Sequence, residues 1–246
     1  MRKLLWLLYQ PYKWLVYIPC LLLSTAILGS LALLLSILIN PKIASNTCGV
    51  WWARLNSYLT PMLVRVQGRE NINKDQSYVV VSNHQSYFDI FVLYGWLGID
   101  FKWVIKKELR KVPFLGIACE KIGHIYIDRS NTQAAIASLQ EAKKKLTRGT
   151  SVLFFPEGTR SITGELQPFK KGAFSMALEL GIPILPVSVL NTANILPART
   201  MNLFPGRATL MIHEPCDVTP YSAETMDMLM SEVKKAVQAG LDAGPD

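Results

Sequence analysis

The strongest constraint on the fold is an uncharged run of 26 residues, 14–39, composed mainly of Leu, Ile, Val and Ala. At about 1.5 Å per residue, a helix of this length reaches about 39 Å, more than the roughly 30 Å hydrocarbon core of a bilayer. The run is too long for the apolar core of a secretory signal, and no small-x-small cleavage site precedes Asn40-Pro41. Residues 1–64 are therefore predicted to form an N-terminal helical membrane anchor.

The flanks of this run are aromatic and basic. The aromatic residues resemble an interfacial belt and comprise Trp6, Tyr9, Tyr12, Trp14, Tyr17, Trp51 and Trp52. Basic residues lie on both sides, so the positive-inside rule sets no orientation. Pro19 and Gly29-Ser30 are places where a helix could bend, so a spanning helix and a re-entrant hairpin both remain open. The segment 51–64 is predicted to lie at the interface.

Charge is unevenly distributed along this chain of net charge +8. No Asp or Glu precedes Glu70, whereas the same stretch holds the basic residues Arg2, Lys3, Lys13, Lys42, Arg54, Arg65 and Arg69. A basic, apolar and acid-free end is typical of a protein that binds an anionic membrane surface. The remainder carries no motif that reads RNA or DNA, so no nucleic-acid partner is expected. The four cysteines are isolated, which predicts reduced thiols and no metal site.

After Arg69 the pattern changes to alternating strands and helices. The predicted strands are 77–82, 101–105, 124–127, 152–155, 184–190 and 208–212. The predicted helices are 88–96, 114–122, 132–146, 171–180 and 224–241. This alternation predicts an α/β domain over residues 65–246, with a largely parallel sheet flanked by helices. In such a sheet, functional sites gather at the carboxyl ends of the strands.

One strand end carries a histidine and a carboxylate, in the segment Asn83-His84-Gln85-Ser86-Tyr87-Phe88-Asp89. Residues five apart lie roughly 140° around a helix axis. The two side chains therefore meet only if His84 lies in the turn before a helix and Asp89 in its first turn. That geometry would make His84 a general base oriented by Asp89. The alternative is that Ser86 and Asp89 form a capping box beside a structural histidine.

Two further strand ends carry arginines. Phe155-Pro156-Glu157-Gly158-Thr159-Arg160-Ser161 combines a glycine, which allows close backbone approach, with an arginine suited to two-pronged phosphate binding. Glu157 would repel a phosphate unless it orders the loop or holds Arg160; the alternative for the segment is a solvated polar turn. Arg129 follows the strand 124–127 as a second candidate phosphate ligand. His124 is predicted to pack or hydrogen-bond locally.

These segments occur in a fixed order and are followed by Ile182-Pro183-Ile184-Leu185-Pro186-Val187. Residues from about 65 to 215 thereby resemble the lysophosphatidic acid acyltransferase family (1-acylglycerol-3-phosphate O-acyltransferases). The four blocks match that family's His-x4-Asp block, the block ending in Ile-Asp-Arg, the Pro-Glu-Gly-Thr-Arg-Ser block and the proline-rich strand. The resemblance implies a glycerolipid acyltransferase-like fold, with His84 and Asp89 as the catalytic pair. It also implies an acceptor phosphate site shaped by Lys106, Arg129, Glu157, Gly158, Thr159 and Arg160.

The activity implied by the resemblance is transfer of an acyl group from acyl-CoA or acyl carrier protein to the 2-hydroxyl of 1-acylglycerol 3-phosphate, which yields phosphatidic acid. No cofactor is expected. The implied partners are a phospholipid membrane, a lysophospholipid acceptor and the acyl donor, with the catalytic domain on the cytoplasmic side. Direct transfer is favoured over a covalent intermediate, because neither Ser82 nor Ser86 lies in a nucleophile elbow.

Three alternatives remain open at this point. They are an acyltransferase for glycerol 3-phosphate or another lysophospholipid, a membrane-bound ester or thioester hydrolase, and a non-catalytic membrane protein.

Overall fold

The computed structural model describes residues 2–128, 132–143 and 149–244. These residues form one seven-stranded sheet in the order β1-β7-β6-β2-β5-β3-β4. The strands are β1 Met62–Gln67, β2 Val79–Ser82, β3 Phe101–Lys106, β4 Ile125–Ile127, β5 Ser151–Phe154, β6 Ile184–Leu190 and β7 Gly206–Ile212. Neighbouring strands run parallel except β6 and β7, which are antiparallel. The predicted class, an α/β fold with a largely parallel sheet, is confirmed.

The helices lie on both sides of this sheet. They are α1 Arg2–Tyr12, α2 Ile18–Leu38, α3 Pro41–Ala44, α4 Val50–Leu59, α5 Phe88–Trp96, α6 Leu115–Ile122, α7 Thr132–Lys143, α8 Gly172–Leu180, α9 Thr192–Ile195 and α10 Met226–Ala243. Helices α4 and α5 pack on one face, where α2 and α6 join them, whereas α7, α8 and α10 pack on the other. The predicted helix 132–146 ends at Lys143 among the described residues; residues 144–148 lie outside them.

The central strands are buried on both faces. Every residue of β2, β5 and β6 is buried, which is why these segments read as continuous apolar runs rather than as alternating ones. In the register, Val81 of β2 lies between Phe154 of β5 and Pro186 of β6. The carboxyl ends of β2 and β5 therefore lie side by side, and this brings together the segments that follow them.

Strand β1 is the element that the sequence pattern missed. It occupies an edge of the sheet, where it pairs in parallel with β7 from Met62 opposite Gly206 to Gln67 opposite Met211. Only Met62 in the strand is fully buried, so the segment lacks the strong apolar signal of the central strands. Part of the segment 51–64, predicted to be interfacial, thus belongs to the sheet, and the predicted boundary between residues 64 and 65 falls inside β1.

In the N-terminal part, the end of α1, a π-helical turn over Lys13–Tyr17 and α2 form one continuous helix, Tyr9–Leu38. With 30 residues, it is long and apolar enough to cross a membrane. At about 1.5 Å per residue it is about 45 Å long. It runs unbroken through Pro19 and Gly29-Ser30, the two places where a bend was considered. Few of its side chains are buried, and those exposed are mainly Leu and Ile.

The chain reverses after this helix, so that α4 returns along α2. Asn56 Nδ2 donates to Ser24 Oγ at 3.1 Å, and Trp52 Nε1 donates to Thr25 Oγ1 at 3.0 Å. Helix α2 also packs on α6, and α4 on α5. The apolar N-terminal helices are therefore continuous with one face of the α/β domain.

Candidate active site

His84 and Asp89 meet at the carboxyl end of β2. The histidine lies in the turn between β2 and α5, and the aspartate lies in the first turn of α5, so their side chains face each other despite the spacing of five. His84 Nδ1 is 2.7 Å from Asp89 Oδ2. Because a carboxylate oxygen accepts, this contact places a proton on Nδ1 and leaves Nε2 without a contact to Asp89.

The Asp89 carboxylate is fully buried and is surrounded by donors. Oδ2 also accepts from the backbone N–H groups of Gln85 at 2.7 Å and Ser86 at 2.9 Å, and Oδ1 accepts from the Thr192 hydroxyl. With the histidine this makes four donors, about as many as a carboxylate has lone-pair positions. A buried charge is tolerated only when it is compensated in this way, so the position of Asp89 is fixed.

The capping interaction and the histidine contact occur together. The Ser86 hydroxyl accepts from Phe88 N–H at 3.1 Å and donates to the Leu196 carbonyl at 2.7 Å. Asp89 accepts in return from the Ser86 N–H, which is one half of a capping box; the hydroxyl bonds to Phe88 N–H instead of the Asp89 N–H of the full box. The two interpretations of this segment therefore do not exclude each other, because the cap holds the carboxylate where the histidine needs it.

The imidazole of His84 is held on its flat face as well. It stacks on Phe155 with 3.9 Å between ring centroids and 11° between planes. Its side chain is 15% exposed, so the ring edge is still accessible. Among the described residues, Nε2 has no hydrogen-bond partner, which leaves it available to a substrate.

Glu157 ties two loops together. One carboxylate oxygen accepts from His84 N–H at 2.7 Å and the other from Gln167 N–H at 3.0 Å. In addition, Ser161 N–H donates to the His84 carbonyl at 2.8 Å. Burial raises the pKa of the Glu157 carboxyl. Of the two roles considered for Glu157, these contacts match the ordering of the loop, since the carboxylate holds backbone N–H groups and not Arg160.

Arg160 presents an unsatisfied donor beside the histidine. Its guanidinium lies over the Tyr87 ring at 3.6 Å from the centroid, and Nη1 is buried without a partner among the described residues. An unpaired buried N–H of a cation is costly, and a bound anion would remove that cost. Lys106 and Thr159 are exposed and line the same cavity, while Gly158 adopts a φ of +74°. Arg129 lies outside the described residues.

A cavity of about 430 Å³ extends from His84 between α2, α4, α5, α6 and β3. Its lining is mostly apolar, and residues 25–32 of the long N-terminal helix contribute Thr25, Leu28, Gly29 and Ala32 to one wall. A series of ring contacts runs from Phe155 through Trp103 to Tyr94 along this cavity. The site thus combines a base, a cationic donor and an apolar cavity of ligand size.

His124 forms part of the same wall but hydrogen-bonds locally, as predicted. Its Nδ1 accepts from Trp103 N–H at 3.3 Å, and its Nε2 is 3.4 Å from the Tyr94 hydroxyl, which in turn contacts Ser45 Oγ at 2.9 Å. Burial lowers the pKa of His124 to about 3. The ring is therefore neutral at cellular pH.

Three contributors to the site were not found from the sequence. Thr192 lies 103 residues from Asp89 in the chain, and a lone threonine after a strand gives no signal of its own. Phe155 and Tyr87 supply the ring faces for His84 and Arg160, but aromatic residues beside strands are also ordinary core residues. The only available signal for Thr192 was its place directly after the proline-rich strand.

Comparison with known proteins places these residues in a family. The acyltransferase family model matches residues 63–190. A 1-acyl-sn-glycerol-3-phosphate acyltransferase of Chlamydomonas reinhardtii is 34% identical over 180 residues, which are 72% of this chain and 53% of the relative. A chloroplastic one of Brassica napus is 33% identical over 194 residues, 78% of this chain and 54% of the relative. The chain thus spans about half the length of these curated relatives.

A solved structure covers nearly the whole chain. The crystal structure of the 1-acyl-sn-glycerophosphate acyltransferase PlsC from Thermotoga maritima superposes with a TM-score of 0.80 at 30% identity. It covers 99% of this chain, and this chain covers 97% of it. The likeness therefore includes the N-terminal helices as well as the α/β domain.

The Thr192 hydroxyl predicts a specific kinetic defect. Thr192→Val keeps the shape of the side chain but removes the donor to Asp89, so the carboxylate orients His84 less well. We expect kcat for acyl transfer to fall about 5- to 30-fold with KM unchanged, the equivalent of about 1–2 kcal/mol for one charged hydrogen bond. Thr192→Ser, which retains the hydroxyl, should restore most of kcat. Equal kcat values for Thr192→Val and wild type would contradict this role.

The lowered pKa of His124 predicts a pH-dependent stability. The unfolded chain binds this proton below the ordinary pKa of 6.5, whereas the folded chain binds it only near about 3, so stability is lost as the pH falls below 6.5. At about 1.4 kcal/mol per pH unit, the loss reaches about 2 kcal/mol at pH 5. His124→Asn keeps an acceptor for Trp103 N–H but cannot titrate. Denaturation in detergent micelles at pH 7 and pH 5 should show a smaller loss in the variant; parallel losses would be inconsistent with a buried neutral histidine.

Proposed function

We propose that this chain, which belongs to the family of 1-acyl-sn-glycerol-3-phosphate acyltransferases, transfers a fatty acyl group from an acyl thioester to the 2-hydroxyl of 1-acylglycerol 3-phosphate. The product is phosphatidic acid. The observation that carries the proposal is the His84–Asp89 pair at 2.7 Å, whose histidine lines an apolar cavity together with Arg160, and Nη1 of this arginine is buried without a partner among the described residues. The base, the anion site and the apolar space correspond to the hydroxyl, the phosphate and the acyl chain of the two substrates.

The chemistry begins with the histidine. An alcohol is a poor nucleophile at neutral pH, so His84 Nε2 takes the hydroxyl proton as the oxygen attacks the thioester carbonyl carbon. A carbon–oxygen bond forms, and the carbonyl becomes an oxyanion. Its collapse breaks the carbon–sulfur bond, and His84 gives the proton to the departing thiolate. Asp89 stabilises the imidazolium between these two steps, as the carboxylate does in a serine hydrolase triad.

Direct transfer fits the two nearby serines. The Ser82 hydroxyl is fully buried and donates to the Asn83 carbonyl, and the Ser86 hydroxyl donates to Leu196. Neither hydroxyl contacts His84 among the described hydrogen bonds, whereas a covalent nucleophile is normally hydrogen-bonded to its base. The acceptor hydroxyl is therefore the proposed nucleophile.

The acceptor phosphate is assigned to the cationic groups beside His84. Arg160 offers its unpaired Nη1, and Lys106 lines the same cavity with its side chain exposed. Arg129 follows β4 and is retained as a proposed third ligand. In the loop after β5, Gly158 provides backbone and Thr159 provides a hydroxyl for this phosphate site. Glu157 supports this loop through its contacts with His84 and Gln167.

The N-terminal helix is proposed to anchor the protein in a phospholipid membrane with the α/β domain on the cytoplasmic side. Its exposed Leu and Ile side chains support insertion, and the basic residues near it favour an anionic surface. Because α2 also forms one wall of the cavity, an acyl chain would pass between the lipid phase and the site along a single helix. Acyl-CoA and acyl carrier protein are both proposed as donors.

A panel of acceptors tests the activity. Purified protein with a labelled acyl thioester should acylate 1-acylglycerol 3-phosphate faster than glycerol 3-phosphate or other lysophospholipids. His84→Ala should reduce the rate about 10³-fold or more, because both proton transfers are lost. Lys235→Ala, on the surface of α10, is the matched control and should behave as wild type. Label released as free fatty acid would instead indicate a hydrolase, and a different best acceptor would overturn the proposed substrate.

Arg160 allows a sharper test of the phosphate assignment. Arg160→Ala should raise the KM for 1-acylglycerol 3-phosphate about 10- to 100-fold, the loss expected for one charge-assisted interaction of about 1.5–3 kcal/mol. Arg160→Lys should recover part of the lost affinity, since lysine keeps the positive charge but cannot bind the phosphate in the two-pronged way of a guanidinium. With 1-acylglycerol, which has no phosphate, the variants and the wild type should share one KM. A KM for the phosphorylated acceptor that does not change would contradict the assignment.

A further inference from the structure

A second cavity of about 430 Å³ lies on the opposite face of the sheet from the first. Residues of α7 and α8 line it, together with the carboxyl end of β5. The proposed mechanism does not use it. Its interior is mostly apolar, formed by side chains such as Ile127, Leu139 and Met176, and its rim carries lysines.

The two cavities share part of their walls at the loop after β5, residues 155–161 (the catalytic loop). Val104, Phe155 and Gly158 line both of them. Phe155 is the ring on which His84 stacks. A molecule whose reactive carbon lies at His84 would have to pass Gly158 to reach from the first cavity into the second.

The cations at the rim differ in whether they are already paired. Lys143 is paired with Glu179, and Lys171 lies 3.0 Å from Asp227. Lys170 has no side-chain partner among the described residues. Its ammonium lies over the catalytic loop, since a Cβ added at Gly158 would be 2.8 Å from Lys170 Nζ. Within the described part of the chain, Lys170 is thus the unpaired lysine of the rim, and it lies next to the glycine that lines both cavities.

The position of each cavity relative to the apolar N-terminal helices indicates how far that cavity lies from the proposed membrane anchor. Helices α2, α4, α5 and α6, with the exposed Leu and Ile side chains of α2, surround the first cavity. The second cavity lies under α7 and α8, on the face remote from them. The second cavity is therefore the one that lies away from the proposed membrane anchor.

We propose that the second cavity binds the 4′-phosphopantetheine arm of the acyl donor, with Lys170 contacting its phosphate. This inference rests on the proposed function, because it places a thioester at His84. The arm is partly apolar, soluble and terminally phosphorylated, which matches an apolar cavity with a free ammonium at its rim. Both coenzyme A and acyl carrier protein carry this arm, so the chemistry is common to the two donors.

Kinetics with matched donors test the proposal. Lys170→Ala should raise the KM for acyl-CoA or acyl carrier protein about 5- to 20-fold, as expected for one lost charge-assisted contact. The KM for acyl-pantetheine, which lacks the phosphate, should stay within about twofold of wild type, as should the acceptor KM. Lys235→Ala again serves as the control. The donor that supports turnover in the wild type identifies the natural carrier of the arm.

Two outcomes would overturn the assignment while leaving the proposed function intact. One is an active Lys170→Ala enzyme whose KM is unchanged for both phosphorylated donors. The other is a rise in the acceptor KM alone, which would assign the cavity to the lysophospholipid.

A binding measurement covers the case in which no transfer is found and the proposed function itself fails. Titration calorimetry with 4′-phosphopantetheine and with coenzyme A requires no turnover. Ser175→Phe places a ring in the second cavity, away from His84, and should weaken binding of both ligands at least tenfold. Unchanged binding by a folded Ser175→Phe protein would exclude the cavity as the site of the arm.

Discussion

The arrangement of the site depends on the burial of one negative charge, the Asp89 carboxylate. A carboxylate without water must find its hydrogen bonds in the protein. The donors come from the turn after β2, from His84 itself and from Thr192 beyond β6. The same charge therefore orders the turn, begins α5, draws the segment after β6 against it and fixes the histidine ring. Glu157 acts in the same way in the loop after β5, where its carboxylate accepts hydrogen bonds from both His84 N–H and Gln167 N–H.

Much of the fold follows from local pattern. Helix α5 and strand β6 have the predicted bounds because each is an apolar run bounded by turn residues. The meeting of the ends of β2 and β5 follows from their parallel pairing. Strand β1 was missed because an edge strand with one buried residue resembles the interfacial segment before it. The contribution of Thr192 could not be predicted, because a hydroxyl contact across 103 residues exists only after the sheet has formed.

The two faces of the sheet carry different helices and different cavities. On one face lie the apolar helices and the cavity that contains the Nε2 edge of His84; on the other lie α7, α8 and the cavity beside Lys170. The catalytic loop at Gly158 belongs to both faces, and Phe155 lines both cavities. The proposed sites for the acyl chain and for the phosphopantetheine arm would thus lie on opposite faces of the sheet, next to each other at Gly158.

The long N-terminal helix is both part of the cavity wall and the apolar segment that fits a bilayer. At about 45 Å it exceeds a hydrocarbon core of about 30 Å, and such a mismatch is relieved by tilting. Residues 25–32 of the same helix form one wall of the cavity. Under the proposed anchoring, a tilt of α2 relative to α4 and α6, on which it packs, would move that wall and make the width of the cavity depend on the thickness of the surrounding lipid.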